Sequence, residues 1–260
     1  MNNARRAAIR AVLSAADVID TFLANGDWQV TLKADDSPVT EVDIAAETAI
    51  RSILTEALPE AAFYGEETGH SAGSGGEAKY RWLVDPIDGT KSFIRGMPFY
   101  STQIALEADG QLILGVSNAP AYGERLVAAV GEGAWLNERR VQVRSEITRV
   151  EDAFLSSGNL TTLAAESDLW ARYGSVVNRA RRVRGYGDFC HYHQLCMGQA
   201  DLIIESDVNI LDIAALTVAV REAGGIITDL AGKAIDKQTT SVLAAATVEL
   251  HAEVLSLGLS

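Results

Sequence analysis

The residues that can do chemistry are concentrated in Trp82-Leu83-Val84-Asp85-Pro86-Ile87-Asp88-Gly89-Thr90, where two carboxylates stand at the end of an apolar run. Pro86 cannot donate to a sheet ladder and biases Asp85 toward an extended backbone, so a strand beginning at Tyr80 is expected to stop there and turn. That turn brings Asp85 and Asp88 together. Gly89 permits a backbone that larger residues resist, and Thr90-Lys91-Ser92-Phe93 can open a short helix whose leading amides suit a phosphate. Carboxylates beside an anion site imply a bridging cation. An oxygen-only ligand set favours Mg²⁺ or a similarly hard ion over zinc, and two such ions can clamp the attacking and leaving oxygens of a phosphate. Taken alone, the same stretch also reads as an Asp-Pro turn with surface acids.

Asp43, Glu66 and Asp212 are further acids at the ends of expected elements. Thr40 with Asp43 three residues on has the form of a capping box, opening a helix that runs toward Leu58-Pro59. Residues 62–65 read as a strand that delivers Glu66 and Glu67 to its end. Asp212, before Ile213-Ala214-Ala215-Leu216, reads in isolation as a helix N-cap.

The elements that position these acids follow from periodicity. Ile9, Val12, Leu13, Ala16, Ile19, Phe22 and Leu23 recur at helical spacing, which predicts an amphipathic helix over residues 4–24, ended by Asn25-Gly26. A short strand is expected over 29–32, then a polar, turn-rich and mobile segment over 33–38. Residues 70–79, rich in Gly and Ser, read as a surface loop. From 101 to 143, β segments punctuated by Asp109-Gly110, Tyr122-Gly123, Gly131-Glu132-Gly133 and Asn137-Glu138 predict an antiparallel meander. Near Ser145 the pattern changes. Strands are expected near 153–157, 181–184, 201–205, 226–229 and 242–246, with helices over 188–197, 212–223 and 248–257, the second stopped by Gly224-Gly225. The reading is α+β in layers, divided into an N-terminal subdomain 1–145 and a C-terminal α/β subdomain 146–260.

A length of 260 residues with 48% hydrophobic content suffices for one large core or two smaller ones in contact. The formal charge of −13 argues against a nucleic-acid or anionic-membrane partner. A phosphate substrate remains compatible, because bound divalent ions reverse the local field. Cys190 and Cys196 read as buried thiols without a disulfide or zinc, which suits a reducing cytoplasm. The N-terminal apolar run is broken by Asp17 and Asp20, unlike a signal peptide or a membrane span.

The chain resembles the inositol-monophosphatase-like superfamily of Mg²⁺-dependent, lithium-sensitive phosphatases nearly end to end. Gly65-Glu66-Glu67 is similar to its Gly-Glu-Glu motif, Asp85 to Thr90 to its metal-binding turn, and Asp212-Ile213-Ala214-Ala215 with Glu222-Ala223-Gly224-Gly225 to its C-terminal motif. The resemblance implies a layered αβαβα sandwich, shared with the fructose-bisphosphatases, and a homodimer. It implies two or three Mg²⁺ per site, with Mn²⁺ able to substitute: Glu66, Asp85 and the carbonyl of Ile87 on one metal, and Asp85, Asp88 and Asp212 on the second. Asp43 and Thr90 correspond to the pair that orients the attacking water, Gly89 and Thr90 to the phosphate-binding amides, and Lys33 to the lysine of the mobile catalytic loop. Two ions sharing Asp85 can neutralise the ester oxygens, supply hydroxide at neutral pH and stabilise the departing alkoxide, with no phosphoenzyme.

The stretch Arg182-Val183-Arg184-Gly185-Tyr186-Gly187-Asp188-Phe189, with Asp88 to Phe93 and Arg95-Gly96, looks like the histidinol-phosphate phosphatases of that superfamily. Carboxylates at Asp188 and Glu205 can accept hydrogen bonds from an ammonium group and an imidazole. Asp188 is also a candidate helix cap and Glu205 a candidate solvated strand end. Arg181, Arg182 and Arg184 either line the strand toward the site or form salt bridges. His191 and His193, two apart on a helix, point different ways and read as packing or surface residues. Leu211 departs from the aromatic residue that usually precedes the last metal ligand. That change weakens the substrate assignment more than the reaction. The competing readings are an inositol monophosphatase, a phosphatase for the 3′-phosphate of an adenosine bisphosphate, or a non-catalytic phosphate or metal sensor.

Overall fold

The computed structural model describes residues 1–26, 28–32, 38–74 and 79–259, with residues 38 and 39 described in backbone only. The chain begins with helix α1 (Asn2–Asn25), strands β1 (Val30–Leu32) and β2 (Pro38–Thr40), and helix α2 (Glu41–Ala57). Strands β3 (Ala62–Gly65), β4 (Gly69–Ser71) and β5 (Tyr80–Asp88) lead to a short helix α3 (Thr90–Ile94). A run of strands follows: β6 (Ser101–Ala108), β7 (Gln111–Ala119), β8 (Glu124–Ala129), β9 (Gly133–Leu136) and β10 (Arg139–Val141). The second half contains β11 (Phe154–Gly158), α4 (Thr161–Ala165), α5 (Ser167–Arg179), β12 (Arg182–Arg184) and α6 (Asp188–Cys196). It ends with β13 (Leu202–Ser206), α7 (Ile210–Glu222), β14 (Ile226–Thr228), β15 (Ser241–Ala245) and α8 (Val248–Leu255).

Among the described residues, eight strands form one sheet in the order β10-β9-β8-β7-β6-β5-β3-β4, and five form another in the order β12-β11-β13-β15-β14. Alternation along the strands decides what covers each face. Trp82 and Val84 of β5, with Ile104 and Leu106 of β6, pack beneath α1 and α2, while the intervening Leu83 and Ala105 face α7. In the second sheet Ile203 and Ala244 turn toward α6 and α7, whereas Leu202, Ile204, Leu243 and Ala245 turn toward α5 and α8. The result is the αβαβα sandwich: α1 and α2, the eight-stranded sheet, α6 and α7, the five-stranded sheet, then α5 and α8.

The central helix α7 explains its own composition. Ile210, Leu211, Ile213, Ala214, Ala215, Leu216, Val218, Ala219 and Val220 are all buried, as befits a helix enclosed between two sheets. Ala215 and Gly115 of β7 make the closest approach, since a Cβ on Gly115 would fall 2.2 Å from the Ala215 carbonyl oxygen. Leu211 sits in this core. Cys190 and Cys196 are buried and free, and burial pushes the Cys190 thiol up to about 11.

The structure differs from expectation at several places. Strand β5 does not stop before Pro86; it continues to Asp88 with a register shift between Asp85 and Asp88. Thr102 donates to the Pro86 carbonyl at 2.9 Å, so the proline is accommodated at the irregularity rather than ending the strand. His70 and Ser71, read as loop, belong to β4. Helices α4 and α5 and the short strand β2 have no counterpart in the sequence reading. Helix α7 opens at Ile210 rather than Asp212, with Asn209 as its cap. The mobile segment expected at 33–38, Lys33 included, lies outside the described residues except for the backbone of Pro38.

Gly115→Ala should force α7 off the sheet and destabilise the fold by about 1–3 kcal/mol, the usual scale of overpacking. Urea unfolding against wild type measures it, and an unchanged midpoint would contradict the close approach.

Candidate active site

The acids converge on a cavity of about 280 Å³ between the two sheets, bordered by Glu66, Asp85, Asp88, Thr90, Asp188 and Asp212. Ile87, Gly89, Lys91, Ser92, Asn159 and Asp207 complete its wall. Oxygen atoms of Asp85, Asp88 and Asp212 lie within 4.8 Å of one another. Residues far apart in sequence are thus gathered around one cavity.

Each carboxylate is held by the local backbone. Asp85 Oδ1 accepts the Ile87 N–H at 3.0 Å across the proline. Asp88 Oδ2 accepts from the Ser101 hydroxyl at 3.0 Å, and Gln103 Nε2 supports that hydroxyl at 2.7 Å. Asp212 closes a capping box with Asn209, accepting the Asn209 backbone N–H on Oδ2 and its side-chain amide on Oδ1, both at 2.8 Å. Asp43 does the same for Thr40, whose N–H reaches Asp43 Oδ2 at 2.7 Å. The other Asp43 oxygen accepts the Thr90 hydroxyl at 3.2 Å, and Thr90 also lies 2.8 Å from the Ile87 carbonyl oxygen. Gly89 has φ +93°, and a Cβ there would lie 2.8 Å from the Phe99 carbonyl oxygen, so this turn requires glycine.

Electrostatics make the cluster costly without a counter-ion. Burial, then the charges of Glu66, Asp88 and Asp212, hold Asp85 well above the ordinary carboxylate range. Burial, then Asp188 and Asp212, does the same to Asp88. Burial, with Glu66 and Glu205 adding to it, carries Asp212 to about 7. Asp43 is raised by burial against the lowering effect of Thr40 and Thr90. Among the described residues no lysine or arginine pairs with Asp85, Asp88 or Asp212. A close set of buried, oxygen-only ligands suits a hard divalent cation.

The second group of acids lies deeper. A recess of about 20 Å³ shares Asp88, Asn159, Asp188 and Asp212 with the main cavity and adds Tyr192 and Glu205. Glu205 is 1% exposed, and so is not a solvated strand end. Its Oε1 accepts from the Asp188 N–H at 3.3 Å and from Asn159 at 3.4 Å, and its Oε2 faces the Tyr192 hydroxyl at 2.8 Å and His191 Nε2 at 3.1 Å. Asp188 borders the cavity directly, with its pKa raised by burial and by Glu205. Its φ of +47° places a non-glycine residue in the left-handed region, a strain typical of functional positions. Gly187, not Asp188, occupies the cap position of α6.

Arg184 is not brought to the cavity; it is exposed and donates to the Val183 carbonyl oxygen at 2.8 Å. His191 and His193 are both buried, and His193 bridges Ser117 and Glu124 at 2.8 Å each. Sequence reasoning missed Glu47, whose buried carboxylate accepts the Glu67 and Thr68 N–H groups at 2.8 Å each and so fixes the turn that carries Glu66. Its position one helical turn after Asp43 was the available signal. Asn209, three residues before Asp212, carried the same capping signature as Thr40. Ser101, Gln103, Asn159, Asp207 and Tyr192 carry no comparable local signal.

The layered sandwich with an acidic cavity between its sheets is the architecture of the inositol-monophosphatase type of phosphatase. The chain belongs to the inositol monophosphatase family, whose sequence model matches residues 1–257. It is 38% identical to a histidinol-phosphatase of Mycobacterium tuberculosis, with 88% of each chain covered. It is 35% identical to a histidinol-phosphatase of Streptomyces coelicolor over 98% of this chain and 96% of the relative. An inositol monophosphatase from Zymomonas mobilis superposes with a TM-score of 0.82 at 33% identity, covering 97% of this chain and 96% of that one. No helix among the described residues is long and apolar enough to cross a membrane.

A carboxyl whose pKa is higher folded than unfolded binds its proton more tightly in the fold, so it removes stability as pH rises. For Asp212 the window runs from the ordinary carboxylate range to about 7. Chelator-treated wild type should therefore lose melting temperature relative to Asp212→Asn between about pH 4 and about pH 7. Parallel melting curves for the two proteins would contradict the shift.

Proposed function

We propose that the chain is a Mg²⁺-dependent phosphomonoesterase that hydrolyses L-histidinol phosphate to L-histidinol and phosphate, without a phosphoenzyme. The observation that carries the substrate is the wall beyond the metal-type acids. Asp188 and Asp207 border the cavity there, with Glu205 behind them. That wall suits a leaving group that carries an ammonium and an imidazole, and it offers no matching advantage to a neutral polyol. The histidinol-phosphatase relatives support the same choice.

In this reading Glu66, Asp85, Asp88, Asp212 and the Ile87 carbonyl hold the cations. Cations held there would neutralise the phosphate and lower the pKa of coordinated water. The protein's own groups do the rest. Thr90 lies between Asp43 and the Ile87 carbonyl oxygen; with that carbonyl on a cation its hydrogen would go to Asp43, leaving its lone pairs to orient a water in the cavity. Asp43, raised by burial, is poised to take up the proton that Thr90 relays. Gly89 and Thr90 form the phosphate cradle, the first turn of α3 having no intrahelical acceptor for its leading amides. Asp188 meets the cationic end of the ester directly, and Glu205 acts from behind it. Lys33 is proposed, from its position in the family pattern alone, as the lysine of the mobile loop.

Asp85, fully buried among Glu66, Asp88 and Asp212, should be the least replaceable ligand. Asp85→Asn is expected to lower kcat by about a thousandfold or more. Near wild-type turnover would remove the bridging role.

The kcat/KM for histidinol phosphate should exceed that for inositol 1-phosphate and for the 3′-phosphate of an adenosine bisphosphate by at least about tenfold. Asp188→Ala should erase most of that preference by acting on histidinol phosphate alone. Equal values for the three esters in wild type would return the assignment to a general phosphatase of this family. Growth rescue of a histidine auxotroph lacking this phosphatase is the cellular counterpart.

A further inference from the structure

A larger cavity, of about 440 Å³, opens at the opposite end of the five-stranded sheet. Arg144, Asp152, Phe154, Arg181, Arg182 and Asp201 border it. Strands β11 and β13 and the strand preceding Asp188 all begin here: Phe154 and Arg182 are register partners at their start, and Asp201 immediately precedes β13. Four residues further along β13 stands Glu205, so the two cavities are separated by about 13 Å of strand at roughly 3.3 Å per residue. They share no lining residue.

Asp201 makes this cavity more than a surface dent. Its side chain is 2% exposed. One oxygen, Oδ2, accepts the Phe154 N–H at 2.8 Å and helps to fix the strand start. The other, Oδ1, is buried with no hydrogen-bond partner, and its nearest cation, Arg144 Nη1, is 4.0 Å away. Arg144 is instead engaged with Glu146 at 3.0 Å. An unsatisfied oxygen on a buried carboxylate costs more than the hydrogen bond that would satisfy it, so the position calls for a donor from outside the chain.

The arginines set the other half of the requirement. Among the described residues neither Arg181 nor Arg182 forms an ion pair. Arg182 lies over the Phe154 ring at 5.3 Å, which fixes its plane while leaving its hydrogen-bond donors available. Arg181 is an exposed neighbour on the same rim. Two guanidinium groups without carboxylate partners, in a chain of formal charge −13, form a local site for an anionic group. A simple anion would meet those arginines but be repelled by Asp201, and would leave Oδ1 unsatisfied. A simple cation would meet Asp201 but face the arginines. A molecule carrying both charges a few bonds apart meets Asp201 and the two unpaired arginines at once.

We propose that this cavity is a second ligand site, for a small zwitterion of the α-amino-acid class, with its carboxylate on Arg181 and Arg182 and its ammonium on Asp201 Oδ1. The volume lies within the range of about 300–1,000 Å³ usual for small-molecule sites, which leaves space for a side chain beyond the shared backbone atoms. The proposal is independent of the ester hydrolysed at the acidic cavity, since it involves none of those residues.

Titration calorimetry of the full chain, in Mg²⁺ buffer, against the standard L-amino acids tests it, with acetate and methylamine as the separate halves of the ligand. At least one amino acid should bind at one site per chain with a Kd below about 1 mM, and each half at least about tenfold more weakly. Arg181→Ala and Asp201→Asn should each weaken the amino acid by about tenfold or more, while Asp188→Ala, in the other cavity, leaves it unchanged. Arg181 is exposed, so its replacement tests the site even if Asp201→Asn fails to fold. No saturable binding up to about 10 mM, acetate binding as tightly as the amino acid, binding that survives Arg181→Ala, or binding lost in Asp188→Ala would each overturn the proposal.

Discussion

The structure depends on concentrating negative charge where burial opposes it. Asp85, Asp88 and Asp212 stand within a few ångströms of one another, and burial and mutual repulsion raise each of them. Removing charges from water costs several kcal/mol per ion unless hydrogen bonds and a counter-charge compensate. The chain supplies the hydrogen bonds, from Ile87, Ser101 and Asn209, but supplies none of its own cations to these three acids among the described residues. The uncompensated charge is therefore available to an external ion. An internal lysine or arginine at the same place would stabilise the fold and extinguish the site.

Bringing Asp212 to Asp85 falls to the middle layer. Asp85 and Asp88 end a strand of the eight-stranded sheet, whereas Asp212 stands in the first turn of α7, which packs across that sheet and beneath the other. The relative position of the acids is fixed by how closely α7 lies on β7, and the Gly115–Ala215 approach sets that distance. Catalytic geometry and core packing are here the same constraint. A change in the helix layer, far from any carboxylate, would be felt as a change in the spacing of the acids.

The acids were legible in the sequence because each sits at an element end marked by local chemistry. The Asp-Pro-Ile-Asp-Gly-Thr turn, the Thr40–Asp43 box and the Gly65-Glu66 strand end are all readable over a few residues. The meander from Ser101 to Val141 was readable for the same reason, since turn residues punctuate it. What was not legible depended on distant neighbours. Strand β5 passes through Pro86 because Thr102, on the neighbouring strand, accepts the irregularity by bonding to the Pro86 carbonyl. Glu205 is buried rather than solvated because His191 and Tyr192 of another element close over it. Helix α5 did carry a local signal, Leu169, Tyr173, Val176 and Val177 at helical spacing, and that stripe packs on the core.

For Asp43 and Asp212, helix cap and ligand are not alternatives. Both are the third helical residue, closing a capping box, and the box leaves acceptor capacity on each carboxylate. In Asp43 one oxygen binds the Thr40 backbone while the other receives Thr90. In Asp212 one oxygen binds the Asn209 backbone, and the other, steadied by the Asn209 amide, keeps a lone pair for the cluster. A carboxylate has about four acceptor positions and a cap consumes only one or two. Capping therefore removes the rotational freedom of the side chain without using up its capacity to bind. A helix start buried beside other acids thus combines two conditions that a ligand needs, a fixed orientation and a remaining lone pair. Asp188 reaches a similar end by a different route: its own N–H is tied to Glu205, a strained φ aims the residue, and its carboxylate borders the cavity.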